Sequence, residues 1–407
     1  MPVLPYTLDK PLPVPGFRVG SASCGVKSPD LKGKRQDVTL IVADVPAQAA
    51  AVFTQNAFRA ACVDLGEQTI REHATDIRAI IANAGNANAG VGDMERVWSQ
   101  QLIDLGAKAA GVESHQVLSA STGVIGEPFP IERIRDTIGE ASSSLSEDNW
   151  LQAAEAIRTT DTFAKYASRQ FETNGKTYTI TGVSKGSGMI HPNMATMLGF
   201  MATDAPIRAE VLQGVLSRIA DISFNSISVD GDTSTNDTVY LLSSGLGLGD
   251  AELQDITAFE QALTEVAIEL AQLIVRDGEG VTKFVSIEVT GAESEHQARD
   301  LGRKIAVSPL VKTAFAGSDA NWGRIIMAIG NSGSFIQSDK VSIKADDVLI
   351  LKDGNLHPGY RDDMGMAVFA KQEFTLSVDI GLGDASAKVW TGDLTHEYIT
   401  INAEYRS

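Results

Sequence analysis

Cysteine is almost missing: only Cys24 and Cys62 occur in 407 residues. A disulfide framework is therefore excluded as the source of stability, as is a four-thiolate metal site, and a reducing, cytoplasmic setting is expected. Long apolar runs are missing too. No segment reaches the ~18 uncharged apolar residues of a membrane span, and the N-terminal MPVLPYTLDKPLPVPGF places prolines where a signal peptide needs an unbroken apolar stretch. A soluble, unexported protein with no membrane partner is expected. Positive charge is scarce: 34 Lys and Arg stand against 52 Asp and Glu, a net −18. Phosphate backbones are bound by clustered cations, so nucleic acid is not an expected partner. The six histidines (73, 115, 191, 296, 357 and 396) include no HExxH or other paired spacing, which argues against a catalytic zinc. No fixed-period repeat, low-complexity tract or Pro/Ser-rich linker divides the chain.

What is present is an ordinary globular composition, 43% hydrophobic and 21% charged, long enough for two or three units or one interleaved unit. Val38–Val45 and Arg78–Ala82 read as strands, the second ending in the loop NAGNANAGVGD. Apolar residues at helical spacing predict a helix over Met94–Ala110 with Asp93 at its N-cap. Gln116–Ser121 reads as a strand running into a Ser121-Thr122-Gly123 turn, and Pro130–Ala154 as two short helices. Further on, the strand Lys176–Val183 and the apolar run ATMLGFMATDA flank the loop KGSGMIHPNM. Ala258–Arg276 predicts a helix with a Thr257/Glu260 capping box and a stop at Gly278. A helical stretch over Ala298–Phe315 breaks at Pro309, and the last ~70 residues alternate as a strand meander that includes HEYITINAEYR. The expected fold class is α+β, layered sheets with flanking helices.

Glycine is in slight surplus, 37 residues, and its segments are candidates for binding anions through backbone amides. They fail as phosphate loops: Lys185-Gly-Ser-Gly lacks Walker spacing and leads into Pro192, not a helix. Asp230–Asp237 (DGDTSTND) has the look of a calcium loop but puts Thr235 at the sixth position and Leu241 at the twelfth, where an EF-hand needs Gly and Glu. A nucleophile must then be a hydroxyl. In the segment Lys185–Phe200, a flexible turn and a small Ala195 directly before Thr196 leave room for the threonine hydroxyl to attack its own preceding carbonyl. Cleavage would free an α-amino group with a pKa near ~7.7–8.0, able to serve as base for the adjacent hydroxyl without a histidine. On residue pattern alone, Thr196 reads first as a β-branched residue in a buried strand, with Gly186 and Gly188 forming a hairpin turn.

This stretch resembles the cleavage segment of the ornithine acetyltransferase family. The likeness extends through ANAGNANAG (82–90), STGVIG (121–126), TTDT (159–162), SVDGDTSTNDT (228–238), GEGVTKF (278–284), SPLVKTAF (308–315), NWGRI (321–325) and the terminal HEYITINAEYRS, in order along nearly the whole chain. It departs at Gly90, where the family often has cysteine, and at Ala164, where proline is common.

The resemblance implies a layered N-terminal-nucleophile-type αββα-like architecture and self-cleavage at Ala195–Thr196, giving an α chain (1–195) and a β chain (196–407). Thr196 would take the acetyl group from N2-acetylornithine and pass it to L-glutamate, in arginine biosynthesis. Thr122 and Gly123 are implied as the oxyanion hole, and Thr159, Lys185, Thr196, Glu279, Asn402 and Ser407 as substrate-binding residues. Lys185 is the natural counterpart of the substrate carboxylate and Glu279 of its side-chain ammonium. No cofactor is implied, although acetyl-CoA is a further acetyl donor if the enzyme is bifunctional, and the α and β chains would pair as a heterotetramer. A hydrolase or aminopeptidase of related fold, with the same nucleophile but water as acceptor, and an uncleaved binding protein are the rival readings.

Overall fold

Along the strand Thr238–Ser243, Val239 and Leu241 point to one side and Tyr240 and Leu242 to the other, and all are buried. This period of two with both faces apolar is what a sheet covered on both sides requires. The computed structural model, which describes residues 3, 9–191 and 197–403, places that strand inside an eight-stranded mixed sheet. Across the sheet run Val117–Val124, Ile77–Asn86, Val38–Phe53, Thr238–Ser243, Leu198–Thr203, Lys176–Lys185 and Lys165–Thr173, and Phe17–Ala22 pairs with the first half of Val38–Phe53. The helices Ala209–Ile222 and Thr257–Arg276 cover one face, while Trp150 of the helix Trp150–Ala156 packs on the other.

A second, seven-stranded sheet follows the order Asn355–Leu356, Val348–Lys352, Ser342–Ala345, Glu373–Asp379, Phe284–Ala292, Ala385–Gly392 and Ile227–Ser228. Its core takes in Leu301 and Ile305 of the helix Glu295–Ala306, Phe315 of Pro309–Ala316 and Ile325 of Trp322–Gly330. The layered α+β class is as expected.

Several local expectations fail for identifiable reasons. The C-terminal HEYITIN is not a strand but the helix His396–Ala403. Its β-branched residues favour a strand only where a sheet face exists to bury them, and Ala385–Gly392 already pairs with Phe284–Ala292 on one side and, at Trp390 and Thr391, with Ile227–Ser228 on the other. The terminal region is not a simple meander either, because Phe284–Ala292 and Glu373–Asp379 pair parallel, joined through intervening helices and strands. The first strand runs on to Phe53, and the region 130–156 holds three short helices rather than two. Met94–Ala110 is the helix expected, but Asp93 makes no side-chain cap. The long helix starts at Thr257 without a capping box; Asp255 Oδ1 receives the Thr257 amide at 3.0 Å instead, and Asp277 rather than Gly278 ends it.

Lys185 and Leu198 are paired neighbours in adjacent antiparallel strands. Residues 186–197 therefore form their connection, far longer than the roughly two to five residues a hairpin needs. Strands end at this edge of the sheet, and the site is built there.

Candidate active site

Two strands deliver the first wall. Val117–Val124 runs parallel to Ile77–Asn86, so the Ser121-Thr122-Gly123 segment, expected as a turn, forms the last rungs of a strand. Gly123 (φ 130°) lies against Gly85 (φ 109°), and a Cβ on Gly123 would fall 2.2 Å from the Gly85 carbonyl carbon. No other residue type fits such an approach. Asn236, in the Asp230–Asp237 loop, donates from Nδ2 to the carbonyls of Ala87 (2.6 Å) and Ser121 (3.0 Å), and so ties that loop to both strands.

The opposite wall rests on buried charge. Lys165 is fully buried, its Nζ 2.7 Å from Asp161 Oδ1 and 2.5 Å from Asp277 Oδ2. Asp161 also receives the amides of Thr159 (2.8 Å) and Gly186 (2.7 Å), and Asp277 that of Thr162 (2.9 Å). Burial alone would raise the Asp161 carboxyl, but Lys165 and then Lys185 outweigh it and hold the group well below the usual carboxylate range. Asp277, with less compensation, is pushed up by burial. A single ionic knot thus joins the segment 159–162, the start of the 186–197 connection and the end of the long helix.

On this base Lys185, 8% exposed, donates from Nζ to Thr122 Oγ1 at 3.3 Å. Burial lowers its pKa, and the nearby Asp161 opposes the shift. Glu279 is also only 8% exposed. Its amide donates to Ser187 O at 2.9 Å and its Oε2 accepts Asn402 Nδ2 at 2.7 Å. A Cβ on Gly188 would sit 2.3 Å from that Oε2, so the glycine is what admits the carboxylate. Gly280 (φ 72°) in turn allows the C-terminal helix to close on the turn, since a Cβ there would meet the Tyr398 amide nitrogen at 2.5 Å. Asp230 accepts the amides of Met189 (2.6 Å) and Ile190 (2.8 Å) and the Tyr398 hydroxyl (3.3 Å).

The outcome is one cavity of about 260 Å³ whose lining includes Thr122, Gly123, Thr159, Lys185, Met197, Asn236, Glu279 and Asn402. Six residues singled out from sequence for substrate or oxyanion binding converge there: Thr122, Gly123, Thr159, Lys185, Glu279 and Asn402. Ala195, Thr196 and Ser407 lie outside the described residues. Sequence reasoning missed Asp161, Lys165, Asp277 and Asn236. Asp161 and Asn236 lie inside noted motifs, but no local pattern announces that Lys165, four residues after Asp161, turns inward. Among the described residues no group of three or more His, Cys, Asp or Glu can hold a metal ion, and no helix is long and apolar enough to cross a membrane.

Fold and site together define a layered α+β enzyme with a small, charged cavity at one edge of its first sheet. The chain belongs to the ArgJ family, which it matches over residues 18–407. It is 45% identical over 404 residues to the arginine biosynthesis bifunctional protein ArgJ of Pseudomonas syringae pv. tomato, covering 97% of each chain. Against the protein of that name from Pseudomonas fluorescens it is 44% identical over 400 residues, again covering 97% of each. The crystal structure of an arginine biosynthesis bifunctional protein from Bacillus halodurans is 40% identical, with a TM-score of 0.49, covering 51% of this chain and 99% of that one.

Proposed function

We propose that this enzyme transfers the acetyl group of N2-acetylornithine to L-glutamate through an acetyl ester on Thr196, in arginine biosynthesis in the cytoplasm. The observation that carries the reading is the meeting of Lys185 and Glu279 in one cavity with Thr122 and Gly123, and with Met197, one peptide bond on from Thr196. Acetylornithine carries a carboxylate and an ammonium, and the cavity offers one cation and one carboxylate to match.

The chain first cuts itself. The Thr196 hydroxyl attacks the Ala195 carbonyl, the peptide shifts to an ester, and water hydrolyses that ester to leave the Ala195 carboxylate and a free Thr196 amine. In turnover that amine takes the hydroxyl proton as Thr196 Oγ bonds to the acetyl carbon. The amide C–N bond breaks, and the proton passes to the leaving amine, freeing ornithine. Glutamate's amine then attacks the ester by the reverse path. Thr122 and Gly123 stabilise each tetrahedral oxyanion, a role worth ~10²–10³ in rate per donor in other enzymes. Asn402 orients Glu279, while Thr159 and Ser407 complete the substrate contacts. The chemistry requires no metal or organic cofactor, with acetyl-CoA as the alternative donor of a bifunctional enzyme. Two α (1–195) and two β (196–407) chains form the assembly.

On a denaturing gel the purified enzyme should run as two fragments of near-equal size, and acetylornithine plus glutamate should yield N-acetylglutamate and ornithine in equal amounts. Acetate release independent of glutamate would assign a hydrolase instead. Thr196→Ala should remain a single chain of about 43 kDa and lose transfer; a Thr196→Ala protein that still transferred acetyl would rule the mechanism out.

A further inference from the structure

Behind Gly123 lies a second cavity, about 200 Å³, which shares Gly123, Val124, Thr159 and Thr160 with the first. Three cations line it: Lys27, Arg35 and Arg158. Arg158 is engaged, its Nη1 2.5 Å from Glu155 and its Nη2 2.9 Å from the Asp161 carbonyl. Arg35 is half-buried and differs. Its Nη2 donates to the Arg158 carbonyl, and among the described residues it forms no ion pair with a carboxylate. The one acid in the lining, Asp37, is occupied by the amides of Cys24 and Val26, both at 2.6 Å. Burial and then the neighbouring Arg158 depress the Arg35 pKa, against the opposing pull of Asp161, Asp37 and Glu155.

The proposed reaction makes such a place useful. Glu279 suits the ammonium of ornithine, but the side-chain carboxylate of glutamate would be repelled at the same spot. An acceptor with two carboxylates needs a second cationic position, and the phosphates of coenzyme A would need one as well.

We propose that Lys27, Arg35 and Arg158 form an anion subsite adjoining the acetyl-transfer cavity, which takes the anionic oxygens of the second substrate: the side-chain carboxylate of glutamate or the phosphates of acetyl-CoA. This rests on the acetyl-transfer reading of the first cavity. Its test is the steady-state kinetics of Arg35→Gln, Arg35→Lys and Lys27→Met beside the wild type, with acetylornithine or acetyl-CoA as donor. Arg35→Gln should raise KM by about tenfold or more, the scale of one charge-assisted hydrogen bond. The rise should spare KM for acetylornithine and be largely recovered in Arg35→Lys. A rise for glutamate with either donor identifies the carboxylate, and a rise for acetyl-CoA alone identifies the phosphates. Unchanged values, or an equal rise for acetylornithine, overturn the subsite. Should Arg35→Gln not fold, Lys27→Met, on the exposed rim, carries the same expectation. Calorimetric titration separates this inference from the reaction it rests on. Glutarate has two carboxylates and no amine to acetylate; its binding, weakened in Arg35→Gln, would support the subsite even if no transfer occurred, and its failure to bind wild type would count against it.

Discussion

Replacing Glu279 by glutamine removes one charge while keeping the shape that receives Asn402 Nδ2 at 2.7 Å. An ammonium ~4 Å from the carboxylate gains about 4 kcal/mol at an effective dielectric near 20. Desolvation of both groups takes back part of that. What remains is the ~1.5–3 kcal/mol typical of a hydrogen bond to a charged group. At ~1.4 kcal/mol per decade, Glu279→Gln should lower kcat/KM for N2-acetylornithine by roughly 10- to 150-fold. The informative control is N2-acetylnorvaline, which keeps the carboxylate and carbon chain but has no ammonium. Its kcat/KM should scarcely move, so the wild type's preference for acetylornithine should collapse in the variant. Ornithine or norvaline release at limiting substrate and saturating glutamate gives both numbers. If the two donors lost rate equally, Glu279 would be holding Asn402 and the Gly188 turn rather than reading the ammonium, and the charge assignment would be wrong.

Two other perturbations probe what supports the cavity. Lys165→Met strands the Asp161 and Asp277 carboxylates, and breaking a buried pair in this way costs about 3–5 kcal/mol. Asp277, already pushed up by burial, loses the lysine that opposes that shift, and stability from a carboxyl held above its unfolded pKa is lost as pH rises. The deficit in urea unfolding should therefore be larger at pH 8 than at pH 5, whereas a pH-independent deficit would contradict the buried-charge account. Gly123→Ala places a Cβ 2.2 Å from the Gly85 backbone at a φ of 130°. A loss of transfer of at least ~10²-fold is expected, and near-normal transfer would place the oxyanion elsewhere.

The layered fold was legible because alternation and helical spacing report burial directly: the strand at Lys176 and the helices at Met94 and Thr257 appear within a residue or two of where they were expected. What failed was context. His396–Ala403 carries Tyr398, Ile399 and Thr400, strand formers by propensity, but it packs as a helix against the turn at Gly280. For the site, motif likeness named the residues that face the cavity. It did not name the knot beneath them, because Lys165 and Asp277 are 112 positions apart and only the folded sheet joins them.

The same pairing bears on a cut before Thr196. The strand Leu198–Thr203, just beyond that bond, pairs antiparallel with Lys176–Lys185 on one side and parallel with Thr238–Ser243 on the other. Phe200 and Met201 on its two faces enter two different cores, each built from residues on both sides of the cut. The Asp277 of the second half is salt-bridged to Lys165 of the first. Cleavage would break one covalent bond and none of these contacts, so the two fragments must stay together as one folded body. Freeing a new terminus at this edge therefore need not cost the sheet its integrity. The interleaving suggested by the chain's length becomes the condition under which a self-cut chain can still bring Lys185 from one half and Glu279 from the other into one cavity.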